Sequence, residues 1–414
     1  MEEEILNIAN KIKSSGGNLY LVGGAIRDEL LGNKTHDKDY CVTGLSSKEF
    51  KELFPQAIIR GNSFPVFILN GSEFALARIE IKNGIGHKEF NIITDKSITI
   101  EQDLSRRDIT INSIAQEVLT GKLIDPFNGI TDIQEKIIKA TTNHFLEDPL
   151  RVYRVARFAA QLDFTVEEKT LELMNKSRKE LNTLSKERIF TEFLKALETK
   201  RPSIFFEVLK NAKVLDVHFP EIHNLIGALQ PIQYHPEGDA YNHTMLAVDE
   251  SAKLTQNPEY RFCALVHDLG KGITPKEEYP HHYNHETNGV PLVEKLENRI
   301  GIPNKWINSG KIACKEHMRG GIFYKMKPAK KVEFIERISK TRLGLHGLQI
   351  VVYSDKLSSR TIDAGSIDFE SVGKRCLEAV DGKFIKEKYN LAEGLDFGNK
   401  LHQERIEWMK SLIE

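Results

Sequence analysis

An α+β head followed by an all-helical remainder is the fold class that this 414-residue sequence predicts. Three observations carry that prediction. Short apolar runs broken by Gly, Pro and Asn fill the first ~140 residues, as strands and turns do. From about residue 145 they give way to segments with apolar residues at 3.6-residue spacing, the mark of helices buried along one side. The two patterns are segregated along the chain rather than alternating, which favours α+β over α/β.

The elements follow in order. Ile5, Leu6, Ile8, Ala9 and Ile12 have helical spacing over 5–13. The apolar run 18–22 ends at Gly23-Gly24, and 25–31 reads as a helix, giving strand, glycine turn, helix. Residues 39–42 predict a second strand. Strands are also expected over 64–69, 74–81, 113–118 and 123–125, the last closed by the turn Pro126-Phe127-Asn128-Gly129. Helical periodicity then recurs over 148–162, 167–182, 186–198, 203–212, 241–255, 259–271, 287–299, 304–317, 330–339 and 343–357. The segment 227–238, with Pro231 and Pro236, is expected to be a linker. The resulting domain expectation is a head over 1–145, a helical neck over 146–226, a second helical domain over 227–360 and a helical tail over 361–414.

Composition bounds the function. Apolar residues make up 40% and charged residues 28%, which excludes collagen, low-complexity disorder and a small disulfide scaffold. With 58 Lys+Arg against 59 Asp+Glu, binding to nucleic acid through overwhelming positive charge is excluded, while a local basic patch is not. Cys41, Cys263, Cys314 and Cys376 are far apart, with no CxxC, so neither a thiolate zinc site nor a disulfide framework is expected. The start Met1-Glu2-Glu3-Glu4 is acidic where a signal peptide is basic, and no apolar run approaches the ~18–20 residues of a membrane span. A cytoplasmic protein without a membrane partner is expected; monomer and homodimer are both open.

In the head, Gly23-Gly24 between strand and helix lets backbone N–H groups approach a phosphate, and Arg27 lies one turn further on. Asp37 and Asp39 are two apart at the start of a strand, so they share a face and can share Mg²⁺. Glu80 could add a third carboxylate on such a face. Arg106-Arg107 invites an anion. Arg151, Arg154 and Arg157 step by three along one side of a helix, and Asp148 is placed to orient Arg151. A planar guanidinium and a carboxylate together present a donor and acceptor pattern that can read a base edge. Taken singly each feature has an ordinary structural reading; their order is what points to nucleotide chemistry.

The strings LVGGAIRDELLG, HDKDY, RRDITINSIA, DPFNGITDI and EDPLRVYRVARFAAQLDF, over roughly 19–225, resemble the class II tRNA nucleotidyltransferase (CCA-adding enzyme) and bacterial poly(A) polymerase family. The resemblance implies a polymerase-β-like nucleotidyltransferase head. It implies Mg²⁺ on Asp37 and Asp39, the triphosphate on Gly24 and Arg27, and a nucleotide contact from Arg107. It implies selection of CTP and ATP by Asp148 and Arg151, with Arg154 and Arg157 also nucleotide-binding, and tRNA as the acceptor.

Seven of the 14 histidines fall in 235–317: His235, His243, His267, His281, His282, His285 and His317. The adjacent pair His267-Asp268 closes an apolar helix and can offer an imidazole and a carboxylate to one cation. That donor set suits Mn²⁺, Fe²⁺, Co²⁺, Ni²⁺ or Zn²⁺, and the sequence does not choose among them. The order His243, His267-Asp268, His285, His317, Asp355 resembles the HD phosphohydrolase superfamily over about 225–360. An HD domain behind a CCA-adding head resembles the arrangement of multifunctional CCA proteins. It implies a metal site with His267 and Asp268 catalytic, loaded with Ni²⁺ or a similar transition metal. Phosphatase, 2′-nucleotidase and 2′,3′-cyclic phosphodiesterase activities would follow. A poly(A) polymerase is disfavoured, because the HD domain stands where a long basic C-terminal extension would be expected.

Overall fold

Residues Asn18–Val22 form β1, an inner strand of the head, because both of its faces are apolar, and Leu19, Tyr20, Leu21 and Val22 are all buried. The computed structural model describes residues 2–34, 38–60, 65–82, 90–359, 368–389 and 395–412. After β1 come β2 (Asp39–Thr43), β3 (Ile58–Arg60), β4 (Val66–Leu69), β5 (Ser72–Leu76), β6 (Ile79–Lys82), β7 (Phe90–Ile93), β8 (Ala115–Glu117) and β9 (Leu123–Ile124). Seven of them make one sheet in the order β3-β4-β5-β2-β1-β8-β9. The β2–β5 pair is parallel and the other ladders of this sheet are antiparallel. Alternation gives the sheet two packed faces. On one, Tyr40 stacks on its ladder partner Phe74 at 5.1 Å, and Phe67 meets Phe50 at 4.5 Å. On the other, Tyr20, Val22, Cys41 and Ala115 pack with Ile98, Ile100 and Leu104.

The head strands depart from the expected bounds in two places. The run 74–81 is two strands in two sheets. Ala77 N–H completes the β2–β5 ladder on Val42 O (2.8 Å), and Arg78 N–H then turns to the Asp103 carboxylate (3.3 Å). β6 therefore starts at Ile79 and, among the described residues, pairs with β7. The segment 113–118 shortens to β8, because a 3-10 turn at Thr110–Asn112 precedes it and Ser113 Oγ is tied to Ile109 O and Thr141.

The chain divides into two compact units, 1–188 with 207–217 and 189–206 with 218–414. In the first, the helix Arg151–Leu162 buries Val152, Tyr153, Val155, Ala156 and Ala159. The second is helical throughout its described residues, and 227–238, expected as a linker, lies inside it. Its core holds Phe193, Phe205, Phe206 and Phe219 with ring centroids 5.3–6.5 Å apart. Arg261, 1% exposed, is tolerated there because its guanidinium donates to the carbonyls of Leu197, Thr199, Thr255 and Ala252. These carbonyls lie at or just beyond helix C-termini, where they lack intrahelical partners. The expected helix 259–271 ends at Val266, and a 3-10 turn at Leu269–Ile273 follows. The chain must pass close by there: a Cβ on Gly270 would lie 2.0 Å from the carbonyl oxygen of His285. No helix among the described residues is long and apolar enough to cross a membrane. The tail is helical over Phe369–Ala379, Gly382–Tyr389 and Leu395–Ser411.

Candidate functional site

Two clusters of chemistry-bearing side chains stand out, one in each unit. In the first, a cleft of about 550 Å³ is lined by Gly23, Gly24, Arg27, Asp39, Arg107, Asp148, Arg151, Arg154, Arg157 and Arg188, among others. Gly23 holds φ +78, a conformation that favours glycine, and a Cβ there would lie 2.9 Å from Arg107 Nη1. The turn thus brings β1 and Arg107 together. Arg27 is buried and fixed by Asn112 Oδ1 (2.6 Å) and Asp28 (2.8 Å). Asp39, the first residue of β2, is exposed at the cleft and lies opposite Val22 in the ladder. Asp37 lies outside the described residues, as does the Glu80 side chain; the Glu80 backbone is in the separate β6–β7 ribbon.

The arginines are held by a framework of carboxylates and one aromatic ring. Asp103 is 1% exposed and takes Arg106 (2.7 Å) and Arg107 (3.3 Å). Burial alone would raise its carboxyl, but those two charges hold it below the ordinary range. Asp108 pairs with Arg154 at 2.7 Å and accepts from Asn112 Nδ2 at 3.1 Å. Against the cost of burial, these partners hold its pKa at about 2. The Phe158 ring carries three guanidiniums, with Arg157 at 3.6 Å, Arg27 at 5.1 Å and Arg154 at 5.4 Å from its centroid. Asp148 and Arg151 are joined by the bond from Arg151 N–H to Asp148 O (3.0 Å). Their side chains have other partners: the Asp148 carboxylate takes Arg188 at 2.9 Å, and Arg151 donates to the carbonyls of Arg106 (2.6 Å) and His144.

Sequence reasoning missed Arg188 and Glu73. Arg188 is forty residues from Asp148, with no local pattern joining the two. Its Nη1, like Nε of Arg107, is buried without a hydrogen-bond partner, which suits an anionic ligand in the cleft. Glu73 is the ladder partner of Asp39 and lines a second cavity of about 220 Å³ that Asp39 and Arg107 also line.

In the second unit, His243 on the helix Ala240–Leu254, His267 and Asp268 at the helix break, His285, His317 on the helix Asn304–Gly321 and Asp355 on the helix Gly344–Ser359 meet in the interior. The ligating atoms of His243, His267 and Asp355 lie within 4.8 Å of one another, as do those of His267, Asp268 and His317. Asp268 is surrounded by Lys271 Nζ (2.6 Å), His267 Nε2 (3.2 Å), His285 Nε2 (3.3 Å) and His317 Nε2 (3.4 Å).

The imidazoles share an orientation. Nδ1 of His267, His285 and His317 faces the carbonyls of Ala264 (2.7 Å), His282 (2.7 Å) and Cys314 (2.8 Å). A carbonyl only accepts, so each Nδ1 carries the proton and each Nε2 lone pair points inward. His243 follows the same rule, with Nδ1 on Glu237 (2.7 Å) and Nε2 3.2 Å from Asp355. Yet Nε2 of His243 and His267 has no hydrogen-bond partner, and each faces a carboxylate, Asp355 at 3.2 Å and Asp268 at 3.2 Å. Imidazole lone pairs turned toward buried carboxylates, with no proton between them, fit a cation. Burial would raise the Asp268 and Asp355 carboxyls, but the Lys271 ammonium beside the first and the Lys356 ammonium beside the second hold both well below the ordinary range. Sequence reasoning passed over Glu237 because it sits among the prolines and glycines of 227–238.

Three stretches of the chain match known families. Residues 19–139 match the poly A polymerase head domain family, 163–226 the probable RNA and SrmB-binding site of polymerase A, and 240–357 the HD domain. The chain is 45% identical to the multifunctional CCA protein of Shewanella frigidimarina over 306 residues, 72% of this chain and 73% of that one. It is 37% identical to the multifunctional CCA protein of Shewanella denitrificans over 412 residues, 96% and 98% of the two chains. The fold is similar to that of the Thermotoga maritima CCA-adding enzyme complexed with tRNA-CCA, with TM-score 0.62, 19% identity, and 99% and 96% of the two chains covered.

Proposed function

Because this chain belongs to the multifunctional CCA protein family, we propose that it adds C, C and A to the 3′ end of tRNA from CTP and ATP, in the cytoplasm, and that its HD region hydrolyses phosphate esters. The observation that carries the first activity is the single cleft in which Asp39, the Gly23-Gly24 turn and Arg27, Arg107, Arg151, Arg154 and Arg157 are gathered. The tRNA 3′-hydroxyl attacks the α-phosphorus of the nucleotide. The new P–O bond forms as the bond to the β-phosphate oxygen breaks, and pyrophosphate leaves. Arg27 and Arg107 neutralise the triphosphate, and the Gly24 backbone lets it approach. Asp148 and Arg151 select the base, and Arg154 and Arg157 complete the cationic wall. Catalysis is mainly positioning and charge neutralisation. Mg²⁺ on Asp39 and Asp37 would supply further neutralisation of phosphoryl charge.

The second activity rests on the inward-facing histidines. His243, His267, Asp268 and Asp355, with His285 and His317, would hold a transition metal such as Ni²⁺. That metal would supply Lewis-acid polarisation of a phosphoryl oxygen. The expected substrates are phosphate monoesters, 2′-nucleotides and 2′,3′-cyclic phosphates. Lys271, buried beside Asp268 and held by Gln230 at 2.6 Å, keeps a positive charge at this centre.

The test of the first activity is incorporation of labelled CTP and ATP into tRNA lacking its CCA end. Asp39→Ala is expected to lower incorporation by on the order of 100-fold or more while tRNA binding persists. Incorporation near the wild-type rate would refute the assignment.

A further inference from the structure

The four imidazoles of the buried centre are not held alike. His267, His285 and His317 each turn Nδ1 to the backbone carbonyl three residues earlier. His243 turns Nδ1 to a side chain instead, the Glu237 carboxylate, at 2.7 Å. The same Glu237 oxygen also meets Nδ1 of His235 at 2.9 Å, and the two rings stand nearly perpendicular with centroids 4.8 Å apart. The Glu237 side chain is 6% exposed, and its other oxygen, Oε2, is buried without a hydrogen-bond partner. Ser358 Oγ also lies 3.1 Å from His243 Nδ1, but its proton goes to Asp355 O at 2.6 Å, so it too can only accept. Glu237 is placed by the loop 227–239, which closes on itself. Gly227 N–H donates to the Asp239 carboxylate at 2.7 Å, and Gln230 N–H to Gly238 O at 3.2 Å. Asp239 then caps the helix Ala240–Leu254 by accepting from Asn242 N–H at 2.9 Å, which ties the loop to the helix that carries His243.

We propose that Glu237 is a positioning residue of this centre: it fixes the tautomer and ring orientation of His243, so that Nε2 presents a lone pair to a divalent metal, and His235 holds Glu237 in turn. The proposal rests on the reading of the centre as a metal site. A buried carboxylate bonded to two imidazoles has its charge incompletely balanced. A cation taken up by the far nitrogen of His243 supplies that balance, so carboxylate and cation favour each other through the ring. A backbone carbonyl carries no net charge and gives His267, His285 and His317 orientation alone. The loop that reads as a linker in the sequence is then part of the frame of the centre. It reaches the centre a second time where Lys271 Nζ, beside Asp268, donates to Gln230 Oε1 at 2.6 Å.

The test is titration calorimetry of the metal-free full chain with Ni²⁺, comparing wild type with His267→Ala, Glu237→Ala, Glu237→Gln and His235→Ala. His267→Ala removes a direct donor and so marks the binding that belongs to this centre. Glu237→Ala is expected to weaken that binding by about 10–100-fold. Glu237→Gln keeps an oxygen acceptor for both rings but loses the charge, so its affinity should fall between those of wild type and Glu237→Ala. His235→Ala should weaken binding less than Glu237→Ala, because it acts through Glu237. Unchanged Ni²⁺ affinity in Glu237→Ala overturns the proposal, as does a Glu237→Gln that binds no more tightly than Glu237→Ala. If Glu237 only packs the loop, Glu237→Ala lowers the melting temperature of the metal-free protein and leaves the Ni²⁺ affinity of the folded protein as it was, which also overturns it. Should Glu237→Ala fail to fold, Glu237→Gln and His235→Ala decide, and wild-type affinity in both overturns the proposal. Equal Ni²⁺ binding by wild type and His267→Ala refutes the metal-site reading itself, and the role of Glu237 falls with it.

Discussion

Asp108 shows how one buried carboxylate sets the cleft's framework. It is 6% exposed and holds Arg154 through two hydrogen bonds, and its pKa is about 2 against an ordinary 3.8. The folded-state value lies below the unfolded one, so its contribution to stability is present above about pH 4 and is lost as pH falls toward 2. The size of that contribution is roughly 2 kcal/mol. Asp108→Asn should therefore lower the unfolding free energy by about 2 kcal/mol at pH 7 and by roughly half as much at pH 3. Urea denaturation followed by circular dichroism at the two pH values checks this. Equal destabilisation at both would mean that packing, not the carboxylate charge, is what Asp108 supplies.

At the scale of elements, the helix Arg151–Leu162 converts a hydrophobic period into a binding wall. One side is buried, while Arg154 and Arg157 line the cleft with Phe158 between their guanidiniums. Phe158→Leu keeps most of the apolar volume but removes the π face, a loss of about 0.5–2 kcal/mol per well-placed cation–π contact. The KM for CTP and ATP should rise several-fold, with a smaller change in kcat. Steady-state kinetics with both nucleotides provide the check, and an unchanged KM would show that the salt bridges alone hold the arginines. This helix, β1 and the glycine turn were legible because each is written locally, in apolar spacing and in Gly23-Gly24. The pairing of Glu73 with Asp39 was not, since a parallel ladder between non-consecutive strands has no local signature. The Arg188–Asp148 contact and the break of 259–271 at His267 were hidden for the same reason. Both are decided by chain brought in from elsewhere, Asp148 in one case and the His285 backbone in the other.

At the scale of the whole molecule, the two clusters fall in different compact units. The described cleft residues all lie within 1–188, and the histidine and carboxylate cluster lies within 237–355. The donor sets also differ in kind. Asp39 offers a hard oxygen, which suits Mg²⁺, while the second cluster is dominated by imidazole, which favours transition metals. Each unit should therefore fail alone. His267→Ala and Asp268→Ala each remove one donor from the buried centre, and hydrolysis of 2′,3′-cyclic phosphates should fall below detection while CCA addition stays within about twofold, as for mutations at sites that share no partner. Asp39→Ala should do the reverse. If His267 instead serves to pack a helical body that grips tRNA, His267→Ala would weaken tRNA affinity and CCA addition together. In that case no divalent metal would elicit hydrolysis from the wild-type protein. Both activities, measured on the same three variants with Mg²⁺ alone and with Ni²⁺ added, separate two independent centres from one centre on a structural scaffold.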